Sequence, residues 1–412
     1  MHSSAAIART RATSPIRQLS PAASFLLLAS LTVSFLAGSS APTPLYPLYM
    51  AQWGLTPLMI TVIFGIYALA VLLALLVGGR LSDHLGRRPV LLASTLAQAA
   101  TMILFGTATS ASALVLARII QGLTTGAALS AIGAALIDLE KTRGAVANAV
   151  TPPFGTATGA VVAAVLVQFL PQPTHLVYGV FGLTYVLQAV GLIFVPETIA
   201  PRGGVLASLK PRLQLPHATR EPLLLALPVL VAVWALAGFY GALSPLLVRS
   251  MLGTSNPLLS GMGLFVMAMS GGFSVLALQH RQPKDMMTFG VSSLLVGVAL
   301  AIGALSYDSI AVFFLGTAIA GIGFGAAFQG SIRTVVPFAA PHERAGVLSI
   351  IYIISYIALG APTVVAGWMI ARYGNLLETA VIFGAIVIAL SATALLGNLL
   401  QALTRRARAV MP

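Results

Sequence analysis

Few side chains in this sequence could do chemistry. The 412 residues include nine acids, 22 lysines and arginines and six histidines, with no cysteine. Without a thiol there is no disulfide, no thiolate nucleophile and no sulfur metal ligand. The sequence holds no phosphate-cradling glycine loop, no cluster of metal ligands and no Ser-His-Asp set, so neither an enzyme activity nor a metal or cofactor is expected. One stretch concentrates charge: Gly79-Arg80-Leu81-Ser82-Asp83-His84-Leu85-Gly86-Arg87-Arg88-Pro89. An acid, three arginines and two glycines share these positions in a chain that is only 8% charged. A carboxylate there can exchange ion-pair partners, or accept from free N–H groups at a helix start. A second feature is Arg118, followed by Gln121 and Gly122 within an apolar run.

The elements that must position these residues are membrane helices. The chain is 58% hydrophobic with a mean hydropathy of +0.97, whereas soluble domains are nearer half apolar and about a quarter charged. Crossing a bilayer takes about 20 mostly apolar residues. Twelve stretches meet that criterion, near 22–49, 57–79, 89–108, 112–137, 145–169, 176–195, 222–248, 256–279, 287–305, 309–336, 345–371 and 379–402. The first resembles a secretory signal, because Arg9, Arg11 and Arg17 precede an apolar run and Gly38-Ser39-Ser40-Ala41 follows it. The apolar character continues to Met50, so it is read as a spanning helix.

The longest polar interruption, 196–221, divides the chain into two sets of six. The expected organisation is an N-tail (1–21), a six-helix half (22–195), a linker (196–221), a second half (222–403) and a basic tail (404–412). The fold class is an all-α membrane protein with twelve transmembrane helices in two pseudo-symmetric six-helix halves. At an offset of 199 residues, Gly122, Gly126, Ala127 and Ala128 fall on Gly321, Gly325, Ala326 and Ala327. The charged stretch falls on Leu278–Thr288, which keeps Arg281, Lys284 and Asp285 but not the spacing. Internal repeats of this kind recur in secondary transporters, with the substrate between them.

Eighteen of the 22 lysines and arginines lie in the tails, the linker and the loops after even-numbered helices. Positive residues mark the cytoplasmic side, so both termini and the linker are expected there, in the cell (inner) membrane. The net charge of +13 then reflects topology and contact with membrane lipids, not nucleic acid.

The loop at 79–88 resembles the signature between helices 2 and 3 of the major facilitator superfamily: Gly, any residue, Leu, a small residue, Asp, a basic residue, any residue, Gly, then two basic residues. His84 stands at the first basic position. The resemblance implies a gate made of Gly79, Asp83, Gly86, Arg87 and Arg88, with Asp138 at the end of helix 4 as a further charge partner. It implies that Asp83 contacts helix 11 of the other half and latches the cytoplasmic side. Simple anchoring accounts for the arginines but not for Asp83 or Gly86. Arg118, Gln121 and Gly122 resemble the helix-4 signature that efflux members link to proton transfer; snorkelling of Arg118 to the outer surface is the plainer alternative. Gly155 and Gly159 keep part of an efflux helix-5 pattern whose proline and glycine pair are here alanines, and with Gly122 and Gly126 they also suit close helix packing. Thr151-Pro152-Pro153 suggests an irregular helix 5.

In the superfamily, helices 1, 4, 7 and 10 line the central cavity. Candidates there for substrate binding or coupling are Tyr46, Arg118, Gln121, Trp234, Tyr240 and Gln329, with Ser244, Phe324 and Arg333 beside them. Aromatic walls with few polar groups suit a small amphiphilic compound. Interfacial anchoring explains the aromatics equally well, and lipid contact fits Arg333. No acid falls near mid-membrane, so proton coupling rests on the resemblance. The expected function is secondary transport of a small organic compound by a monomer, as efflux against protons. Uptake of a small organic anion is one alternative, and a non-transporting membrane sensor or assembly factor is another.

Overall fold

The computed structural model describes residues 18–211, 213–253 and 256–410. Arg9, Arg11 and Arg17 of the N-tail and Arg212 of the linker lie outside them. Among the described residues, twelve helices are long and apolar enough to cross a membrane. Numbered in order, spans 1 to 6 are Pro21–Trp53, Pro57–Gly78, Arg87–Gly106, Ala111–Leu139, Lys141–Phe169 and Pro173–Leu192. Spans 7 to 12 are His217–Ala242, Pro257–Leu278, Pro283–Ser306, Ile310–Phe338, Arg344–Tyr373 and Leu376–Gln401.

Local chemistry fixes the ends. Ser20, Thr56, Ser110, Asn256 and Ser309 each accept from a first-turn N–H through the side chain, and proline follows three of them directly. Several starts precede the positions expected from hydropathy, and for two of them a carboxylate cap gives the reason. Span 5 begins at Lys141 because Glu140 caps it, accepting from Thr142 and Arg143 N–H. Span 3 begins at Arg87 because a distant carboxylate supplies its cap, as described below. Span 1 is interrupted by a tighter turn at Thr43–Leu45, where Pro42, Pro44 and Pro47 bring no N–H to the ladder. Span 5 instead runs through Pro152 and Pro153 as one helix.

Packing repeats between the halves. Spans 1, 2, 3 and 4 contact spans 5, 4, 6 and 3 of their own half, and spans 7, 8, 9 and 10 contact 11, 10, 12 and 9 in the same scheme. The halves meet through the reciprocal pairs 5 with 8 and 11 with 2. The glycine correspondence has a physical counterpart. A Cβ on Gly122 would fall 2.6 Å from the Tyr67 carbonyl oxygen, and one on Gly126 would fall 2.7 Å from that of Val71. In the second half Gly321 and Gly325 lie as tightly on the carbonyls of Met267 and Gly271. Spans 4 and 10 therefore approach spans 2 and 8 backbone to backbone, the close contact that small residues permit in lipid. Gly155 and Gly159 do the same for span 5 against Val33 and Ala37 of span 1.

At the end of the bundle away from residues 79–88, Thr43 Oγ1 donates across the halves to the Gly241 carbonyl at 2.8 Å. Around it Gly65 faces Gly360 and Val364, Thr61 faces Gly367, and Gly261 faces Ala164. Among the described residues, no ion pair joins the halves at the end carrying residues 79–88.

Candidate functional site

At the charged end Leu81–Leu85 forms a short helix that leads through Gly86 into span 3. Arg87 is the hub. Its side chain is 9% exposed, and the guanidinium pairs with Asp83 and with Asp138 Oδ2 at 3.2 Å and donates to Ser82 Oγ at 2.7 Å. Glu197, just past span 6, accepts from the backbone N–H groups of Arg87 and Arg88 at 2.8 and 3.0 Å. That carboxylate neutralises free donors at a helix start, where negative charge is favoured. Gly86 is held at φ +98°, and a Cβ there would fall 2.7 Å from Glu197 Oε2. Glycine is required on both counts. Thr198 Oγ1 adds a donor to Asp138 at 3.1 Å. The following segment is tied down as well: His84 Nδ1 bonds the Gly203 carbonyl and the Arg202 N–H donates to the His84 carbonyl, each at 2.9 Å.

The structure thus joins Asp83, Gly86, Arg87, the Arg88 backbone and Asp138, while Gly79 ends span 2 with ordinary helical φ. Asp83 finds its ionic partner in its own half and not on span 11. Glu197 is the member that sequence reasoning overlooked. Its signal was an acid at the exit of span 6, but only the fold brings it to span 3, 110 positions away.

Arg118 lies elsewhere, in the interior of the first half, and is 0% exposed. Snorkelling is therefore ruled out. One Nη donates to the Ser39 carbonyl at 2.8 Å and to Gln121 Oε1 at 2.7 Å, and the other to the Tyr46 hydroxyl at 2.5 Å. The guanidinium carbon stands 5.3 to 5.9 Å from the ring centres of Tyr46, Tyr67 and Phe105, within cation–π range. Gln121 completes the set through the Gly38 carbonyl at 3.0 Å. Among the described residues no carboxylate pairs with Arg118, and its Nε has no partner.

The remaining candidates lie in the second half and form no common site with Arg118. Trp234 of span 7 stands against Phe324 and Phe328 of span 10 and Tyr356 of span 11, with centroids 5.1 to 6.2 Å apart. Its indole Nε1 is shielded from solvent and has no acceptor. Tyr240 is paired instead, its hydroxyl 2.7 Å from that of Thr317, the residue 199 positions after Arg118. Gln329 is half-buried and joins neither group by a hydrogen bond. Ser244, just past the end of span 7, donates back to the Tyr240 carbonyl. Arg333 donates to the Gln279 and Arg281 carbonyls at 2.9 and 3.1 Å, closing the end of span 8. Phe328 and Tyr356 had no distinguishing signal in a chain so rich in apolar residues.

Comparison with known proteins agrees with this architecture. No curated protein matches the chain significantly. Among solved structures, a bacterial homologue of the human lysosomal transporter Spinster, inward-facing and unoccupied, aligns with a TM-score of 0.73 and 14% identity over 92% of this chain and 97% of that one. A mutant of the nucleoside transporter NupG gives 0.72 and 14%, covering 91% and 99%. The human organic anion transporter MFSD10 (TETRAN) gives 0.63 and 20%, covering 93% and 100%. The family model of the Major Facilitator Superfamily matches residues 28–361, most of the chain. With twelve spans in two repeated halves, the protein belongs to the Major Facilitator Superfamily of membrane transporters.

Proposed function

We propose that this transporter exports a small amphiphilic compound by alternating access, in exchange for protons. The observation that carries the substrate class is Trp234. An indole N–H out of reach of water and without an acceptor costs stability, and here three aromatic rings surround the indole. A ligand with a flat apolar body and one acceptor oxygen or nitrogen would satisfy both features. The two halves would move as units, hinged at 196–221, in the cell (inner) membrane with both termini and the basic loops cytoplasmic. The protein would act as a monomer.

Proton handling would fall to a carboxylate at a span end, because all nine acids lie at or beyond span ends. Asp83 and Asp138 are the favoured pair. Both are partly exposed, at 39% and 34%, and share one guanidinium. Uptake of an organic anion is less well supported, because Arg118 and Arg333 are both committed to protein acceptors. Reconstituted protein tests the reading: liposomes loaded with an aromatic amphiphile should release it faster when the protein is present and a proton gradient is applied. Release no faster than from protein-free liposomes, across a panel of such compounds, would favour a non-transporting sensor.

A further inference from the structure

Nearly every tyrosine hydroxyl inside this protein is satisfied by the protein itself. Of the ten tyrosines, Tyr46 accepts from Arg118, Tyr49 bonds Tyr178, and Tyr240 bonds Thr317. Tyr67 and Tyr185 donate to Ser39 Oγ and to the Ser34 carbonyl. Tyr307 and Tyr373 stand in the open at span ends, 85% and 66% exposed. That leaves Tyr352 and Tyr356, which lie well inside span 11 with no hydrogen-bond partner among the described residues.

A tyrosine hydroxyl inside a protein ordinarily finds a partner. Tyr356 is 9% exposed and Tyr352 half-buried, and both belong to the apolar cluster that holds Trp234, Phe324 and Phe328. The Tyr356 ring centre stands 5.4 Å from that of Trp234. Tyr352 precedes Tyr356 by four residues, so the two share one helix face at a spacing of roughly 5–6 Å. Neither hydroxyl is shut off from solvent as the Trp234 indole N–H is. The pair forms a short polar ladder beside an otherwise aromatic wall. Its oxygens both donate and accept while uncharged. All nine acids lie at or beyond span ends, and Arg118 and Arg333 are held by protein acceptors. The ladder therefore suits a neutral hydroxyl, amide or carbonyl.

We propose that Tyr352 and Tyr356 bind a second polar group of the transported compound. The substrate is then an uncharged aromatic molecule with two separate hydrogen-bonding groups. One is the acceptor for the Trp234 indole, and the other is the group that meets the tyrosine pair. This rests on the aromatic site around Trp234 proposed above and narrows its ligand. An amphiphile with a single polar group would leave the ladder to water.

Calorimetric binding of naphthol and of dihydroxynaphthalene to the full-length protein in detergent tests the assignment. The comparison needs wild type, Trp234→Phe, and a double variant carrying Tyr352→Phe and Tyr356→Phe. The double variant loses only two oxygens that bond nothing in the folded protein, so its melting temperature without ligand should match wild type. Wild type should prefer the dihydroxy compound roughly fivefold, the worth of one hydrogen bond. In the double variant the two affinities should fall within about twofold of each other. Trp234→Phe should weaken both compounds and keep the preference. Equal affinities in wild type, or a preference that persists in the double variant, would overturn the tyrosine assignment and leave Trp234 in place. Binding of neither compound to wild type, or wild-type affinities in Trp234→Phe, would show that the aromatic site itself is misplaced, and the proposal would fall with it.

Discussion

Arg118 and Tyr46 are joined 2.5 Å apart, guanidinium to hydroxyl, in the interior of the first half where no water reaches either group. This bond ties span 4 to span 1 just after the tighter turn at Thr43–Leu45. A charge held there without a countercharge costs roughly 2.5–3.5 kcal/mol at a helix centre. Three hydrogen bonds and three ring faces offset that cost.

Arg118→Ala should therefore destabilise the folded protein strongly. Each buried acceptor left unpaired costs about 1–3 kcal/mol, and the Ser39 carbonyl and Gln121 Oε1 are both affected. Arg118→Lys keeps the charge but cannot span the same three acceptors. Its melting temperature in detergent should lie between wild type and Arg118→Ala; a wild-type value for Arg118→Ala would refute the structural part of this assignment.

In the charged cluster, Asp83 and Asp138, the carboxylates that pair with Arg87, are partly solvated. On the proposed gating role these bonds part and re-form during transport, and the partly exposed carboxylates lower the cost of parting them. Asp83→Asn should slow turnover several-fold while leaving membrane abundance intact. Normal turnover in that variant would reduce the loop to an anchor.

Glu197→Ala removes the cap of span 3. The expected loss is about 1 kcal/mol, typical of a capping residue, seen as a lower melting temperature with an unchanged helical signal. Gly86→Ala should cost more, since it adds a strained φ and a clash with the same carboxylate. If Gly86→Ala proves milder than Glu197→Ala, the geometry assigned to this turn is wrong.

The absence of cysteine makes the end around Thr43 easy to probe. Thr43→Val deletes the cross-half bond to Gly241, worth about 0.5–1.5 kcal/mol. A single cysteine introduced as Val364→Cys, beside Gly65, should react faster with a water-soluble thiol reagent in the Thr43→Val background. Identical labelling rates would show that this bond does not hold the end closed.

Hydropathy alone located all twelve helices, because length and apolar content are what a bilayer demands. Their ends were less legible where the cap comes from afar: span 3 starts where Glu197 reaches it, and no local pattern encodes that. The Arg87 cluster was readable since charge is rare here and its spacing matches a signature. Arg118 was readable as unusual, but not its burial, which depends on Tyr46, Tyr67 and Phe105 converging from three other spans. The aromatic setting of Trp234 was half visible. Phe324 lies on a span expected to line the cavity, whereas Tyr356 arrives from span 11.

Trp234→Phe isolates the indole N–H from the ring. Transport of a preferred substrate should show a KM raised roughly two- to tenfold, the worth of one hydrogen bond, with little change in kcat. Trp234→Ala should lose both contact and donor and be weaker still. Equal KM for wild type and Trp234→Phe would remove the donor from the site.

The sidedness of transport tests the proposed export most directly. Uptake of a fluorescent amphiphile should be measured in inverted and right-side-out membrane vesicles under an imposed proton gradient, with Asp83→Asn as the control. Protein-dependent accumulation in inverted vesicles, reduced in the Asp83→Asn variant, is the predicted result. Accumulation confined to right-side-out vesicles would contradict it.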